Sequence, residues 1–184
     1  MYLLPDTHAE PLLADLIPES SGTPASIRAT ARKRSTRIGF GTAEANTLLK
    51  EKMAPWIQEL QLMVDACSSA GATLRLPGSA RLLRWGDTFC GPALMACADT
   101  AMGIAIMGRL GHIRNVATVT LSIDFMRPIS AGDVTIAATV RKQGRSLIFT
   151  ECSFVDLHSR AISVHATATW ALLPALAINE HKAP

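Results

Sequence analysis

The feature that most constrains this chain is an apolar segment from Phe89 to Gly108 that contains a single charged residue, Asp99. An ionised carboxylate in apolar surroundings is unstable unless it is hydrogen-bonded, paired or protonated. The segment therefore either crosses a membrane, which needs about 20 residues, or forms a buried helix that keeps Asp99 for chemistry. The acid in mid-segment, the helix-weakening Gly91 and Gly103, and the strand patterns that follow favour the buried helix.

The composition suits one domain with an extension. The chain has 184 residues, of which 48% are hydrophobic, and a net charge of +3. The positive charge is concentrated in one short run, and the remainder of the chain is close to neutral. The basic residues of this run are Arg28, Arg32, Lys33, Arg34 and Arg37. We therefore expect a solvated tail here rather than a nucleic-acid-binding arm, and no nucleic-acid partner for the body of the protein.

The cysteines indicate reduced thiols rather than a metal site. Their spacing matches no CxxC or His/Cys zinc motif, and their neighbours are apolar. They are Cys67, Cys90, Cys97 and Cys152. The first residues also lack the basic start and apolar core of a signal peptide. We expect a cytoplasmic protein that has no metal and is not associated with a membrane.

Three regions are predicted along the chain. Residues 1–40 are rich in Pro, Ser, Thr and basic residues without sustained periodicity, which predicts a poorly ordered or peripheral extension. A folded domain is predicted over residues 41–175, followed by a tail over residues 176–184. The domain begins with a helix from Thr42 to about Gln61 that is broken at Pro55.

Strand patterns occupy the rest of the domain. Two short strands are predicted between Leu60 and Leu76, on either side of a turn at residues 68–71. Polar and apolar residues then alternate from Thr118 to Phe125, which predicts a half-buried strand whose odd-numbered side chains point inward. Three further strands follow this one, with turns at residues 143–144 and 158–160; they are predicted around residues 134–140, 145–156 and 162–170.

Short turns between successive strands make the neighbours antiparallel. A curved antiparallel sheet wrapped around one long apolar central helix would explain why that helix is apolar on nearly every face. The predicted fold class is therefore α+β, with the helix of residues 89–108 enclosed by the sheet.

Three motifs occur in a fixed order. Cys90-Gly91-Pro92 is followed by Asp99 in an Ala-rich helix, Phe125-Met126-Arg127-Pro128 ends a strand, and residues 142–145 form a hairpin. This set resembles hotdog-fold acyl-CoA thioesterases of the phenylacetate-pathway (PaaI) type, in which His-Gly-Gly is followed seven residues later by Asp or Glu. The resemblance covers roughly residues 58–172. It implies a hotdog fold and hydrolysis of acyl-CoA, with no cofactor beyond the coenzyme A of the substrate, in a homodimer or a dimer of dimers.

The resemblance also implies roles for individual residues. In the family the amide of the first glycine, here Gly91, polarises the thioester carbonyl. The acid, here Asp99, activates water or attacks directly. A Ser or Thr that orients the catalytic water corresponds to Thr118.

Further residues are expected to bind substrate. Phe89 and Cys90 lie at the helix start, and Arg84 stands near the place where an Asn or Gln commonly helps to hold the carbonyl. Coenzyme A carries phosphates, so cations are expected at the mouth of the site. Four candidates lie around the hairpin: Arg127, Arg141, Lys142 and Arg145.

Helix geometry leads independently to a dimer. Pro92 suits the first helical turn because its missing N–H has no partner there, and the Gly91 amide lies at the positive end of the helix dipole. Eight helical residues separate Gly91 from Asp99 by about 12 Å along the axis. One thioester carbon must lie about 3 Å from both groups, so two antiparallel helices related by a two-fold axis are needed. A monomer is expected to be inactive.

Cys90 and Pro92 depart from the family's His-Gly-Gly, and three alternatives follow. A thiol before a helix N-terminus can act as a nucleophile, which would give a Cys90-dependent hydrolase if His112 or His165 approached it as a base. Hotdog dehydratases pair a histidine with the acid, and the helix carries none. A non-catalytic acyl-CoA or acyl-carrier binding protein is the third.

Overall fold

The computed structural model describes residues 39–156 and 161–174. The predicted extension, apart from its last two residues, lies outside the described residues. So do the predicted tail and the turn predicted at residues 158–160. Phe40 is buried in the core, and its N–H donates to the carbonyl of Gly111 at 3.0 Å.

The described chain contains three α-helices, one short 3-10 helix (Ala80–Leu82) and eight strands. The helices are α1 (Thr42–Glu51), α2 (Pro55–Gln58) and α3 (Gly91–Leu110). The strands are β1 (Met63–Ser68), β2 (Gly71–Leu76), β3 (Leu83–Arg84), β4 (Thr88–Phe89), β5 (Val116–Phe125), β6 (Val134–Gln143), β7 (Leu147–Asp156) and β8 (Ile162–Leu172). These bounds confirm the helix broken at Pro55, the paired strands around residues 68–71 and the four C-terminal strands.

Six of the strands form one antiparallel sheet in the order β1-β2-β6-β7-β8-β5, so that β1 and β5 are its edges. Helix α3 packs against the inner face of this sheet, chiefly against β2, β6 and β7. The short strands β3 and β4 form a separate hairpin just before α3. The predicted α+β architecture, a sheet wrapped around one central helix, is confirmed.

Helix α3 is long and apolar enough to cross a membrane by length and composition, yet most of it is buried against the sheet. It starts one residue after Cys90, whose backbone is extended, and ends at Gly111, which has a left-handed φ of 72°. A side chain at Gly108 would come within 2.6 Å of the Ser68 carbonyl oxygen, so glycine is needed where β1 ends against the helix.

Strand β5 departs from the strict alternation predicted for it. Thr118 pairs with Trp170, whereas Thr120 pairs with Thr169, the next residue along β8, so Val119 is the extra residue of a β-bulge. The prediction that odd-numbered side chains point inward is therefore wrong at Val119, which is 57% exposed. The bulge instead places Thr118 on the inner face, on the same side as the buried Trp170.

A second irregularity lies at the start of β8. The register with β7 shifts between Phe154 and Val155. Ile162, which alternation predicts to point inward, is exposed, and Ser163 is buried in its place. From Val164 onward the predicted alternation is confirmed.

Candidate active site

Asp99 and Thr118 are brought together by the bulge in β5. Asp99 lies eight residues into α3 and is half-buried. The Thr118 hydroxyl donates a hydrogen bond to Asp99 Oδ1 at 2.8 Å. A hydrogen bond to a charged acceptor fixes its orientation, so the second carboxylate oxygen, Oδ2, is held in a defined direction and keeps its capacity to accept a proton.

A cavity of about 790 Å³ lies beside this carboxylate. The size is that of a small-molecule site. Polar groups line one part of it, namely Asp99, His112, Arg114 and Asn115. The remaining wall is mostly apolar and comes from α1, α3, β5 and β8; it includes Leu48, Met53, Ile104, Met107, Val116 and Trp170. Asp99 therefore stands at a polar border of a predominantly apolar cavity.

Sequence reasoning did not assign His112 to the Asp99 site. It lines the Asp99 cavity from the loop after α3, and its Nδ1 lies 2.9 Å from the carbonyl oxygen of Leu110. A carbonyl only accepts, so Nδ1 is the donor in this contact. His165 lies elsewhere, on β8 opposite Asp124. The sequence signal for His112 is its position, one residue after Gly111, where α3 ends.

The start of α3 borders a second cavity, of about 440 Å³. Four of the predicted site residues line it together: Arg84, Phe89, Gly91 and Arg127. The Cys90 side chain makes no capping hydrogen bond within the described structure. Gly91 is the first residue of α3, so its amide is a first-turn donor without an intrahelical acceptor, and Pro92 beside it has no N–H. This end of the helix combines a positive dipole with two guanidinium groups.

The two cavities are separate in one chain. Within the described ranges they share no lining residue, although both border α3. The predicted Lys142 and Arg145 line neither of them in the described part of the chain and lie exposed around the β6–β7 hairpin. The structure thus groups the candidates into an Asp99–Thr118 set, a Gly91 set and a hairpin pair.

The two buried thiols, Cys97 and Cys152, are unreactive near neutral pH. Burial, reinforced by Cys152 and Cys90, raises the pKa of Cys97 to about 12. Burial, reinforced by Glu151, likewise raises the pKa of Cys152 to about 12. Both thiols therefore stay protonated near neutral pH. The described residues contain no group of three or more His, Cys, Asp or Glu side chains that could hold a metal ion.

An antiparallel sheet wrapped around one long central helix defines the hotdog class, and comparison with known proteins agrees. The profile of the Thioesterase superfamily matches residues 86–162. A protein of Thermoplasma volcanium, "Putative esterase TV1331", is 30% identical over 101 residues, which are 55% of this chain and 75% of that protein. The chain belongs to the Thioesterase superfamily.

Solved structures show the same fold. A "putative thioesterase" of Silicibacter sp. TM1040 has 29% identity and a TM-score of 0.66, over 73% of this chain and 93% of that one. Thioesterase HI1161 of Haemophilus influenzae has 18% identity and a TM-score of 0.65, over 77% of this chain and 94% of that one. At that identity the second likeness concerns the fold alone.

Proposed function

We propose that this protein is a PaaI-type thioesterase that hydrolyses acyl-CoA, with Asp99 as the catalytic carboxylate. The observation that carries the proposal is the hydrogen bond of 2.8 Å from Thr118 to Asp99 at the border of an apolar cavity. Membership of the Thioesterase superfamily supports the hydrolysis of thioesters in general. The substrate class and the residue roles are our proposal.

Asp99 has two chemically complete routes to the same products. As a general base, its Oδ2 accepts a proton from water while the water oxygen attacks the thioester carbonyl. As a nucleophile, Oδ2 attacks the carbonyl and expels the thiolate, and water then hydrolyses the resulting anhydride. Both routes consume one water molecule and release a carboxylic acid and coenzyme A thiol. Thr118 holds Oδ1 in either case.

The developing oxyanion needs a donor that Asp99 cannot supply. The Gly91 amide at the positive end of α3 has the required polarity. It is about 12 Å along the helix from the Asp99 of its own chain. In an antiparallel pair of α3 helices, the partner's Gly91 would face Asp99 across the two-fold axis and complete the site.

Exposed apolar side chains support such a pair. Met95 on α3 and Val119, Phe125 and Met126 on or just after β5 are each 41–57% exposed. They lie on the helix that would face its partner and along the sheet edge formed by β5. A single exposed apolar residue is ordinary, but several along an open sheet edge indicate an interface with a second copy.

The remaining part of the proposal is that cationic side chains bind coenzyme A. Arg84 and Arg127 share the Gly91 cavity, so we assign them to the phosphates of coenzyme A. Lys142 and Arg145 add positive charge around the β6–β7 hairpin. Phe89 and Cys90 shape the entrance to the helix start.

The deciding experiment measures hydrolysis of an acyl-CoA panel by the wild type, Asp99→Asn and Cys90→Ser. We expect Asp99→Asn to lower kcat by about 10²- to 10⁴-fold with the melting temperature unchanged, because only the basic oxygen is lost. Cys90→Ser should stay within about threefold of the wild type. The opposite pattern would establish the Cys90-dependent hydrolase. Binding of acyl-CoA without turnover by the wild type would establish a carrier or binding protein.

A further inference from the structure

Gly103 is a glycine that packing does not explain. It lies one helical turn after Asp99 in the interior of α3, where glycine is less stable than alanine. An added Cβ would meet only Cη2 of Trp170, at an ordinary contact distance of 3.7 Å. Gly108, five residues later, is different, because a Cβ there would lie 2.6 Å from the Ser68 carbonyl oxygen. The fold requires glycine at position 108 and tolerates a side chain at position 103.

The space beside Gly103 belongs to the Asp99 cavity. Asp99, Gly103 and Met107 succeed one another at intervals of four residues, which places them on one helix face, and all three line this cavity. The cavity therefore follows the helix for eight residues beyond the carboxylate, about 12 Å. An extended acyl chain of about eight to ten carbons has that length.

The opposing wall at Gly103 is rigid. Trp170 is 4% exposed, and its Nε1 donates to the Thr150 hydroxyl at 2.8 Å. Thr150 is itself buried, and its hydroxyl donates in turn toward the Ala168 carbonyl at 3.3 Å. The indole cannot turn away without breaking this chain of hydrogen bonds. A side chain at position 103 would therefore take its volume from the cavity.

We propose that Gly103 sets the upper length of the acyl group, and that the cavity takes medium-chain aliphatic acyl groups. This inference rests on the proposed function, since Asp99 at one end of the cavity marks where the thioester carbon lies. The acyl chain then extends along α3 past Gly103 toward Met107, against the apolar wall. Gly103 is a specificity-determining residue, and the reacting atoms do not touch it.

The test compares the wild type, Gly103→Ala and Gly103→Leu with acetyl-, butanoyl-, octanoyl- and dodecanoyl-CoA. In the wild type kcat/KM should rise about fourfold per methylene until the cavity is filled. Gly103→Leu should lower kcat/KM for octanoyl-CoA by about 50-fold and for butanoyl-CoA by less than about threefold. Gly103→Ala should give kcat/KM values for octanoyl-CoA between those of the wild type and of Gly103→Leu. It should also raise the melting temperature by about 2–4 °C.

Two further variants separate cavity volume from damage to the helix. Met53→Ala, which enlarges the same cavity, should restore part of the octanoyl-CoA activity when it is combined with Gly103→Leu. Gly108→Ala should lower the melting temperature and leave the preference between butanoyl- and octanoyl-CoA unchanged. An equal loss on all chain lengths in Gly103→Leu would overturn the inference.

Binding of the thioethers S-butyl-CoA and S-octyl-CoA, which cannot be hydrolysed, keeps the two proposals apart. A selective loss of S-octyl-CoA binding in Gly103→Leu, in a protein that hydrolyses nothing, would sustain the role of Gly103 and refute the proposed function. An unchanged ratio of S-octyl-CoA to S-butyl-CoA binding would refute the role of Gly103, even if hydrolysis were demonstrated.

Discussion

The two cavities along α3 differ in size, charge and chemistry. The Asp99 cavity, about 790 Å³, is mostly apolar and contains a carboxylate fixed by a hydroxyl. The Gly91 cavity, about 440 Å³, has two arginines and the free amide of a helix start. An acyl-CoA molecule has the same division, with an apolar acyl group at one end and anionic phosphates at the other. Both cavities border the same helix, and under the proposed mechanism a single chain would hold two complementary halves that cannot act on one carbonyl.

The largest effect is expected when the Gly91 half is inactivated in one chain and the Asp99 half in the other. Gly91→Pro removes the amide proton at a helical position that tolerates proline and should lower kcat about 10²- to 10³-fold. Asp99→Asn should be at least as inactive. Co-expressed with different tags, the two variants should regain about a quarter of wild-type activity. The reason is that half of the dimers are mixed, and each mixed dimer has one intact site.

Gly91→Ala is the matched control for this experiment. It keeps the amide, and its Cβ would lie 3.3 Å from Cζ of the half-exposed Phe125, which has room to move. A loss of only a few fold is expected. If the mixed dimers isolated through both tags remained inactive while each parent variant was folded, the site would lie within one chain. The two cavities would then not be halves of one site.

A smaller effect is expected at Thr118, which acts within the Asp99 half only. Thr118→Val keeps the shape and removes the donor to Asp99, so kcat should fall about tenfold with little change in KM. Thr118→Ser keeps a hydroxyl and should recover most of the activity. If valine and serine gave equal activity, the hydrogen bond of 2.8 Å would have no role in positioning the carboxylate.

The central helix and the succession of strands along the chain could be predicted because they follow from periodicity that one sequence displays. The spatial order could not, since β5 pairs with β8 rather than with β6, which follows it in sequence. The positions of Gly91 at the start of α3 and of Asp99 within it could be predicted, because a Gly-Pro helix start and an acid in an apolar helix are local signals. The environment of Thr118 could not be predicted in this way. Strict alternation places it on the polar face, and a bulge at Val119, which depends on the pairing with β8, turns it toward Asp99.

The residues that shape the cavities are also beyond local reasoning. His112 lines the same cavity as Asp99 because the chain turns back after Gly111, and Trp170 reaches α3 only through the closure of the sheet. Among the candidate cations, Arg84 and Arg127 lie far apart in sequence and share one cavity, whereas Lys142 and Arg145 are near neighbours outside it. Neighbouring positions in the hairpin sequence therefore did not predict which cations share a cavity.

The smallest effects are expected for the cationic side chains, which test whether the Gly91 half binds the coenzyme. Arg84→Ala and Arg127→Ala should each raise KM for acyl-CoA about five- to tenfold with kcat unchanged, because the phosphates assigned to them do not change during the reaction. Lys142→Ala and Arg145→Ala should raise it about twofold, through screened attraction that disappears at high salt. The corresponding acyl-pantetheine, which lacks the nucleotide, should show none of these increases. An equal rise in KM for acyl-pantetheine would instead assign Arg84 and Arg127 to the thioester end of the substrate. The Gly91 cavity would then not be the site that binds the phosphates of coenzyme A.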